Sequence, residues 1–151
     1  MQRIFTAFWI VTIASCPACA GARLENGKTG LEELQGEWVL IARQVDGKKS
    51  TDDEVQELQI QIIIKGDSLL FKSLGDKDWQ ASTLKIDASK TPKTVDVISK
   101  DSTKDKKSLL AIYKVEGDLL TVCNSLEERP TQFSADKGSG RALLVYKRTK
   151  K

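Results

Sequence analysis

Side chains that could perform chemistry are few in this sequence, and none has the neighbours that catalysis requires. The chain contains no histidine, which removes the commonest general base, activator of nucleophiles and metal ligand. The acidic run at 52–54 lacks the oxygen spacing of a calcium loop and suits the first turn of a helix. Glu127 and Glu128 fall in a polar loop where carboxylates are solvated, and Cys123 has no histidine to activate it. We therefore expect no catalytic residue, no metal site and no cofactor.

Composition indicates one soluble globular domain without an electrostatic partner. The 151 residues are 40% hydrophobic and 30% charged, and the formal net charge is +3. Such a small net charge does not indicate binding to nucleic acid or to an anionic membrane surface. No glycine-rich phosphate loop lies between a strand and a helix, so nucleotide binding is not indicated either.

Residues 1–20 have the pattern of an export signal. Arg3 supplies the positive start, an apolar run covers 4–15, and Ala18-Cys19-Ala20 is an A-x-A cleavage site. The apolar run is too short to span a bilayer. Cleavage after Ala20 places the mature protein in the periplasm or outside the cell, with 21–30 as a leader or tether.

A lipoprotein signal is the alternative for the same stretch. Residues 13–16 (Ile-Ala-Ser-Cys) resemble a bacterial lipobox, in which Cys16 carries the lipid and becomes the mature N-terminus. Only in that case do we expect the protein to be attached to a membrane. We favour cleavage after Ala20, because Pro17 directly after Cys16 is unusual for a lipobox.

The rest of the chain has the two-residue periodicity of β-strands. A short helical turn at 31–34 comes first, and a second short helix is predicted at 50–58, capped by Ser50 or Thr51. A shift of phase between Ala81 and Leu84 predicts a β-bulge. About eight strands are predicted in all, at 38–45, 58–64, 68–73, 79–87, 94–99, 109–115, 119–123 and 142–148.

Sequential strands with mostly short connections favour an all-β fold: a single small antiparallel up-and-down barrel of about eight strands. Closure into a barrel removes the exposed strand edges, and a β-sandwich is the alternative. The barrel domain is predicted to span 31–148. The last three residues, 149–151, are predicted to form a basic tail that frays into solvent.

The entry to the first strand carries a family resemblance. Leu34-Gln35-Gly36-Glu37-Trp38, preceded by a helical turn, resembles the opening motif of lipocalins. In that superfamily the tryptophan closes the barrel floor, and an arginine of the final strand packs over its ring. The resemblance therefore implies a structural closure formed by Gly36, Trp38 and Arg148, and a lipocalin-like barrel.

Further motifs follow in order along the chain. They are Asp46-Gly47-Lys48, Pro92-Lys93-Thr94-Val95-Asp96, Ile112-Tyr113-Lys114-Val115-Glu116-Gly117-Asp118, Arg129-Pro130-Thr131-Gln132-Phe133 and Leu143-Leu144-Val145-Tyr146-Lys147-Arg148. Together with the entry motif they resemble an uncharacterised lipocalin-like domain family of secreted planctomycete-type bacterial proteins. The resemblance covers roughly 31–148. It implies a fold and a compartment and carries no established activity.

A barrel of this kind suggests that the protein binds a small apolar or amphipathic molecule as a monomer. The predicted inward-facing residues are Leu40, Ile60, Ile62, Phe71, Ile112 and Tyr113. Arg129 is a candidate for recognising a carboxylate or phosphate at the barrel mouth; the reading we favour is that it bonds backbone carbonyls of a long loop. The alternative function is a non-catalytic structural or interaction module of the cell envelope, in which short strands leave a barrel filled by its own side chains.

Overall fold

The structure is a computed structural model that describes residues 26–100 and 108–150. The predicted export signal, the lipobox at Cys16 and most of the predicted tether lie outside the described residues. The described chain contains two helices, α1 (Asn26–Leu34) and α2 (Asp52–Leu58). The strands are β1 (Gly36–Val45), β2 (Lys48–Lys49), β3 (Gln61–Lys65), β4 (Ser68–Lys72), β5 (Gln80–Asp87), β6 (Lys93–Ser99), β7 (Leu109–Glu116), β8 (Leu119–Ser125) and β9 (Ala142–Lys150).

The strands form a closed, antiparallel, up-and-down barrel, which confirms the predicted fold class. From β3 to β9 every strand pairs with the next one along the chain, and β1 lies between β3 and β9, so the sheet closes on itself. Eight strands make the barrel. The additional two-residue strand, β2, pairs only with the end of β1.

The two ends of the barrel differ. At the end where β1 begins, which we call the closed end, α1 packs against the barrel and supplies the buried Leu34. At the opposite end, which we call the open end, α2 lies between β2 and β3 along the chain. Thr51 caps α2 in a capping box with Glu54, and Val55 is the buried residue of this helix.

Three sequence predictions need correction. The helix before β1 begins at Asn26, within the range assigned to the tether, and it is longer than one turn. The last strand continues to Lys150, since the Thr149 hydroxyl donates to the carbonyl oxygen of Glu37 across 3.2 Å. No bulge interrupts β5, whose pairing with β4 and β6 is continuous. The register shifts instead occur in the pairing of β1 with β9.

Candidate functional site

The closed end of the barrel is built around Trp38. Its side chain is fully buried (0% exposed), and its indole N–H donates to the carbonyl oxygen of Leu34, 2.9 Å away. The guanidinium carbon of Arg148 lies 4.0 Å from the centroid of the indole ring. Gly36 has a φ of 121°, a conformation that residues with a side chain rarely adopt, which explains glycine two positions before the tryptophan.

Arg148 also ties α1 to the barrel. Its two terminal nitrogens donate to the backbone carbonyls of Gln35 and Glu33, and the bond to Glu33 is 2.8 Å long. Glu33 lies in the last turn of α1 and Gln35 directly follows the helix, where no intrahelical donor remains for their carbonyls. One side chain therefore covers the indole ring and satisfies the backbone at the helix end.

A second set of contacts fastens α1 from the side of β6 and β7. The Lys93 ammonium lies 2.7 Å from the Glu33 carboxylate, and the Tyr113 hydroxyl donates to the Gly30 carbonyl across 3.3 Å. Burial, with the neighbouring Glu33 charge, raises the pKa of Tyr113 above its usual range. A Cβ at Gly30 would lie 2.6 Å from the Ala88 Cβ, so only glycine allows this approach.

Above this closure the barrel encloses a cavity of about 420 Å³ that opens at the open end. Its floor includes Leu34 of α1. Its wall is mainly apolar and is contributed by seven strands: Ile62, Ile64, Leu69, Phe71, Leu84, Val95, Val97, Leu109, Tyr113, Leu120, Val122, Leu144 and Tyr146. The interior is therefore only partly filled by the barrel's own side chains.

Polar side chains without charge mark the mouth of the cavity. Gln80, Ser82, Ser99 and Asn124 line it where β5, β6 and β8 reach the open end, together with the exposed Leu126. Within the described part of the chain, no charged side chain lines the cavity. The site thus presents an apolar interior below a ring of hydrogen-bonding groups, the usual composition of a pocket for small organic molecules.

The mouth explains why a bulge was predicted in β5. Gln80, Ser82 and Leu84 all line the cavity at alternate positions, so the strand keeps its two-residue period. The hydrophobic pattern breaks only because two of these inward positions are polar. The apparent change of phase therefore marks the polar residues at the mouth of the cavity. Interpreting Gln80 and Ser82 as inward-facing polar residues would have identified this part of the site from the sequence.

Three of the predicted lining residues lie on the cavity wall and three others do not. Ile62, Phe71 and Tyr113 contribute to the wall. Leu40 is buried in the core without lining the cavity, and Ile60 lies outside β3 in the connection from α2. Ile112 pairs with Cys123 on the other face of the sheet, next to the loop that carries Ser134. The register, which the sequence pattern alone did not fix, moves Ile112 to the outer face, whereas Leu40 pairs with Tyr146 and lies on the inner face as predicted.

Arg129 does not reach the cavity. Its guanidinium donates to the carbonyl oxygen of Ala111 across 2.8 Å and to that of Val95 across 3.4 Å, and it forms an ion pair with Asp96. It therefore fastens the loop between β8 and β9 to the outer side of β6 and β7. This contact set corresponds to the carbonyl-bonding reading of Arg129.

A second, shallower recess lies between α2 and the barrel wall at the open end. We call it the α2 recess; its volume is about 630 Å³. Unlike the cavity, it carries charged side chains, and it is lined by Arg43, Val45, Lys48, Ser50, Glu54, Glu57, Leu58, Ser73 and Leu74.

The described residues contain neither a candidate metal site nor a helix that could span a membrane. No group of three or more His, Cys, Asp or Glu side chains is placed to hold a metal ion across 26–100 and 108–150. Within the same ranges, neither helix is long and apolar enough to cross a membrane.

Fold and cavity together define a class: a closed eight-stranded antiparallel barrel whose interior is accessible from one end. Comparison of the chain with protein-family models, curated proteins and solved structures gives no match in any of the three. Any assignment of function must therefore come from the geometry of the site.

Proposed function

We propose that this protein is an exported lipocalin-like barrel that binds a small apolar or amphipathic molecule inside the cavity. The observation that carries the proposal is the cavity itself. Its volume of about 420 Å³ lies within the range of about 300–1,000 Å³ that is typical of small-molecule pockets. The relation to the lipocalin-like family of secreted bacterial proteins and the export of the chain are parts of the same proposal, supported by the entry motif and by the signal pattern of residues 1–20.

The polarity of the cavity supports an apolar or amphipathic ligand. Deep residues such as Leu84, Val95 and Leu120 offer no hydrogen bond from their side chains, whereas Gln80 and Asn124 at the mouth offer both donors and acceptors. A ligand with an apolar body and a polar end matches this gradient, because each end then lies in surroundings of its own polarity.

The cavity also favours ligand binding over the alternative function, a structural barrel filled by its own side chains. A structural module gains nothing from an apolar void, because each unfilled volume forfeits packing energy. The proposal does not include a reaction: the chain contains no histidine, and no Asp, Glu, Lys or Arg side chain lines the described cavity wall.

Native mass spectrometry of the protein purified from its own host is the experiment that tests this function. We expect a mass adduct that disappears on denaturation and whose mass identifies the ligand. A fluorescence titration with N-phenylnaphthylamine, a neutral apolar probe, gives an independent measurement on the same protein after delipidation. Absence of an adduct together with absence of a saturable fluorescence increase would contradict the proposal.

A further inference from the structure

The α2 recess has walls of opposite charge. Arg43 and Lys48 lie on the wall that β1 and β2 form, and Glu54 and Glu57 lie on the wall that α2 forms. Positions 54 and 57 are three residues apart and therefore share a face of the helix. The recess, with a volume of about 630 Å³, thus presents positive charge on one side and negative charge on the other.

The charges of the two walls are not paired with each other. Within the described part of the chain, the side chains of Arg43, Lys48 and Glu57 make no hydrogen bond and no ion pair. Glu54 uses one carboxylate oxygen to accept the backbone N–H of Thr51, across 2.9 Å. Arg43 is half-buried, whereas the other three charged residues are exposed. Its guanidinium therefore holds N–H donors at a partly desolvated position with no acceptor among the described residues.

Backbone hydrogen bonds hold the two walls in place. The N–H of Ser50, which precedes α2, donates to the carbonyl oxygen of Arg43 on β1 across 2.9 Å. Where α2 ends, the N–H of Leu74 donates to the carbonyl oxygen of Leu58 across 2.8 Å. Val55 belongs to the buried core and anchors the helix on the barrel. The recess is therefore preformed, which lowers the entropic cost of binding a ligand there.

Two walls of opposite charge favour a ligand that carries both charges. A simple anion would bind Arg43 but would lie opposite the carboxylate of Glu57, and like charges placed together oppose binding. A simple cation would meet the same difficulty at Arg43. A molecule with one carboxylate and one ammonium group is attracted by both walls.

We propose that the α2 recess binds a small zwitterion, a free amino acid or a short peptide, with its carboxylate on Arg43 and its ammonium group on Glu57. The guanidinium matches a carboxylate because both groups are planar and form two parallel hydrogen bonds. Leu58 and Leu74 also line the recess and offer contacts to an apolar side chain of the ligand. The recess shares no lining residue with the cavity, so this site is distinct from the one proposed for the apolar molecule.

Isothermal titration calorimetry with leucine and with the dipeptide leucylleucine tests the site and shows which length of zwitterion it prefers. The N-acetyl derivative of each compound lacks the ammonium group, and the amide of each lacks the carboxylate. We expect the preferred zwitterion to bind at least about tenfold more tightly than either of its derivatives, because each derivative loses one charge-assisted hydrogen-bonded contact.

Two substitutions assign the two charges. Arg43→Gln should lower the affinity for the zwitterion about tenfold without lowering that for its amide, which has no carboxylate to lose. Glu57→Gln should have an effect of the same size on the zwitterion and should not lower the affinity for the N-acetyl derivative. Lys49→Gln and Asp53→Asn are the matched controls, since they remove one charge each from exposed positions of β2 and α2 that do not line the recess. Both controls should bind the zwitterion as the wild type does.

Four results would overturn the proposal. They are absence of any heat of binding for leucine and leucylleucine, equal affinity for a zwitterion and its two derivatives, and an equal loss of affinity in each substitution and its control. The fourth is displacement of N-phenylnaphthylamine by the zwitterion that persists in both Arg43→Gln and Glu57→Gln, because the zwitterion would then lie in the cavity. Saturable binding of the fluorophore to the same protein tests the proposed function separately, so the two can fail independently.

Discussion

The guanidinium of Arg148, from the last strand, lies 4.0 Å from the ring centroid of Trp38, near the start of the first strand. The two residues are paired in the register of β9 and β1, the strand pair that closes the barrel. The stacked pair thus joins the two ends of the sheet, and it also separates the cavity from solvent at the closed end. Within the described structure, the cavity is consequently accessible from the opposite end.

Replacing Trp38 by alanine should lower the free energy of unfolding by about 3–5 kcal/mol, the range for deleting a large buried aromatic side chain. Equilibrium urea denaturation followed by circular dichroism measures this change. Trp79→Ala is the control, because Trp79 is 37% exposed and should contribute less than about 1 kcal/mol. Equal and small effects of the two substitutions would show that Trp38 does not organise the closed end.

Arg148→Lys should cost about 2 kcal/mol although it conserves the charge. A lysine ammonium cannot make both carbonyl bonds, to Gln35 and Glu33, while lying flat on the indole. Lys147→Arg, at the exposed neighbouring position, should be within about 0.5 kcal/mol of the wild type. The same denaturation series compares the two, and a neutral Arg148→Lys variant would mean that charge alone is sufficient at this position.

Tyr146→Phe should leave the free energy of unfolding of the ligand-free protein within about 0.5 kcal/mol of the wild type, unlike most core substitutions. Tyr146 lines the cavity, its hydroxyl makes no hydrogen bond with the described residues and is not a buried atom left without a partner, so its removal breaks no bond. Tyr113→Phe is the matched control and should be destabilising, since it removes the bond to the Gly30 carbonyl. A clear destabilisation by Tyr146→Phe would indicate that the hydroxyl already has a partner.

The local hydrophobic pattern of the sequence was sufficient to predict the barrel but not the residues that line its cavity. Alternation along each strand and the Asp46-Gly47 and Gly117-Asp118 turn signals are local, and they correctly gave the eight barrel strands; the cap at Thr51 indicated the second helix. Which residues line the cavity depends on register between strands distant in sequence. Ile112 was assigned inward because it is large and apolar, yet its neighbours Ala111 and Tyr113 carry the inward phase.

The position of Arg43 on the inner face could not be predicted from the sequence for a similar reason. Arg43 reads as an ordinary polar residue at the end of a strand, and only the bulge between Leu40 and Ala42 places it opposite Leu144. No short motif predicts that shift, because it is set by the partner strand. The contact between Trp38 and Arg148 could be predicted from the sequence, because the Gly36–Trp38 spacing resembles that of a known superfamily.

The thiol of Cys123 should be unreactive in the folded protein. Burial raises its pKa, outweighing a backbone hydrogen bond of Ser134 and the nearby Arg141 charge, which lower it. The folded thiol therefore stays neutral at pH values where the unfolded thiol ionises, so stability is complete below the ordinary cysteine pKa and falls as pH rises above it. Labelling with Ellman's reagent across pH and urea concentration measures this, and rapid labelling of the native state near neutral pH would contradict it.

Filling the cavity should abolish binding without unfolding the barrel. Val97 lines the cavity, whereas its neighbour Ile98 pairs with Thr83 on the outer face and is 36% exposed. Val97→Trp places an indole in the free volume, so we expect the affinity for N-phenylnaphthylamine to fall at least tenfold. The free energy of unfolding should change by less than about 1 kcal/mol, because space for the ring already exists.

Ile98→Trp introduces the same side chain one position away and on the opposite face of β6. It controls for the effect of an added tryptophan on the probe signal and on stability, and it should leave the affinity unchanged. If Val97→Trp binds the probe as the wild type does, the probe lies elsewhere and the cavity is not the binding site. If instead both variants lose affinity equally, the probe binds to the outer surface of the barrel, and the function proposed for the interior is wrong.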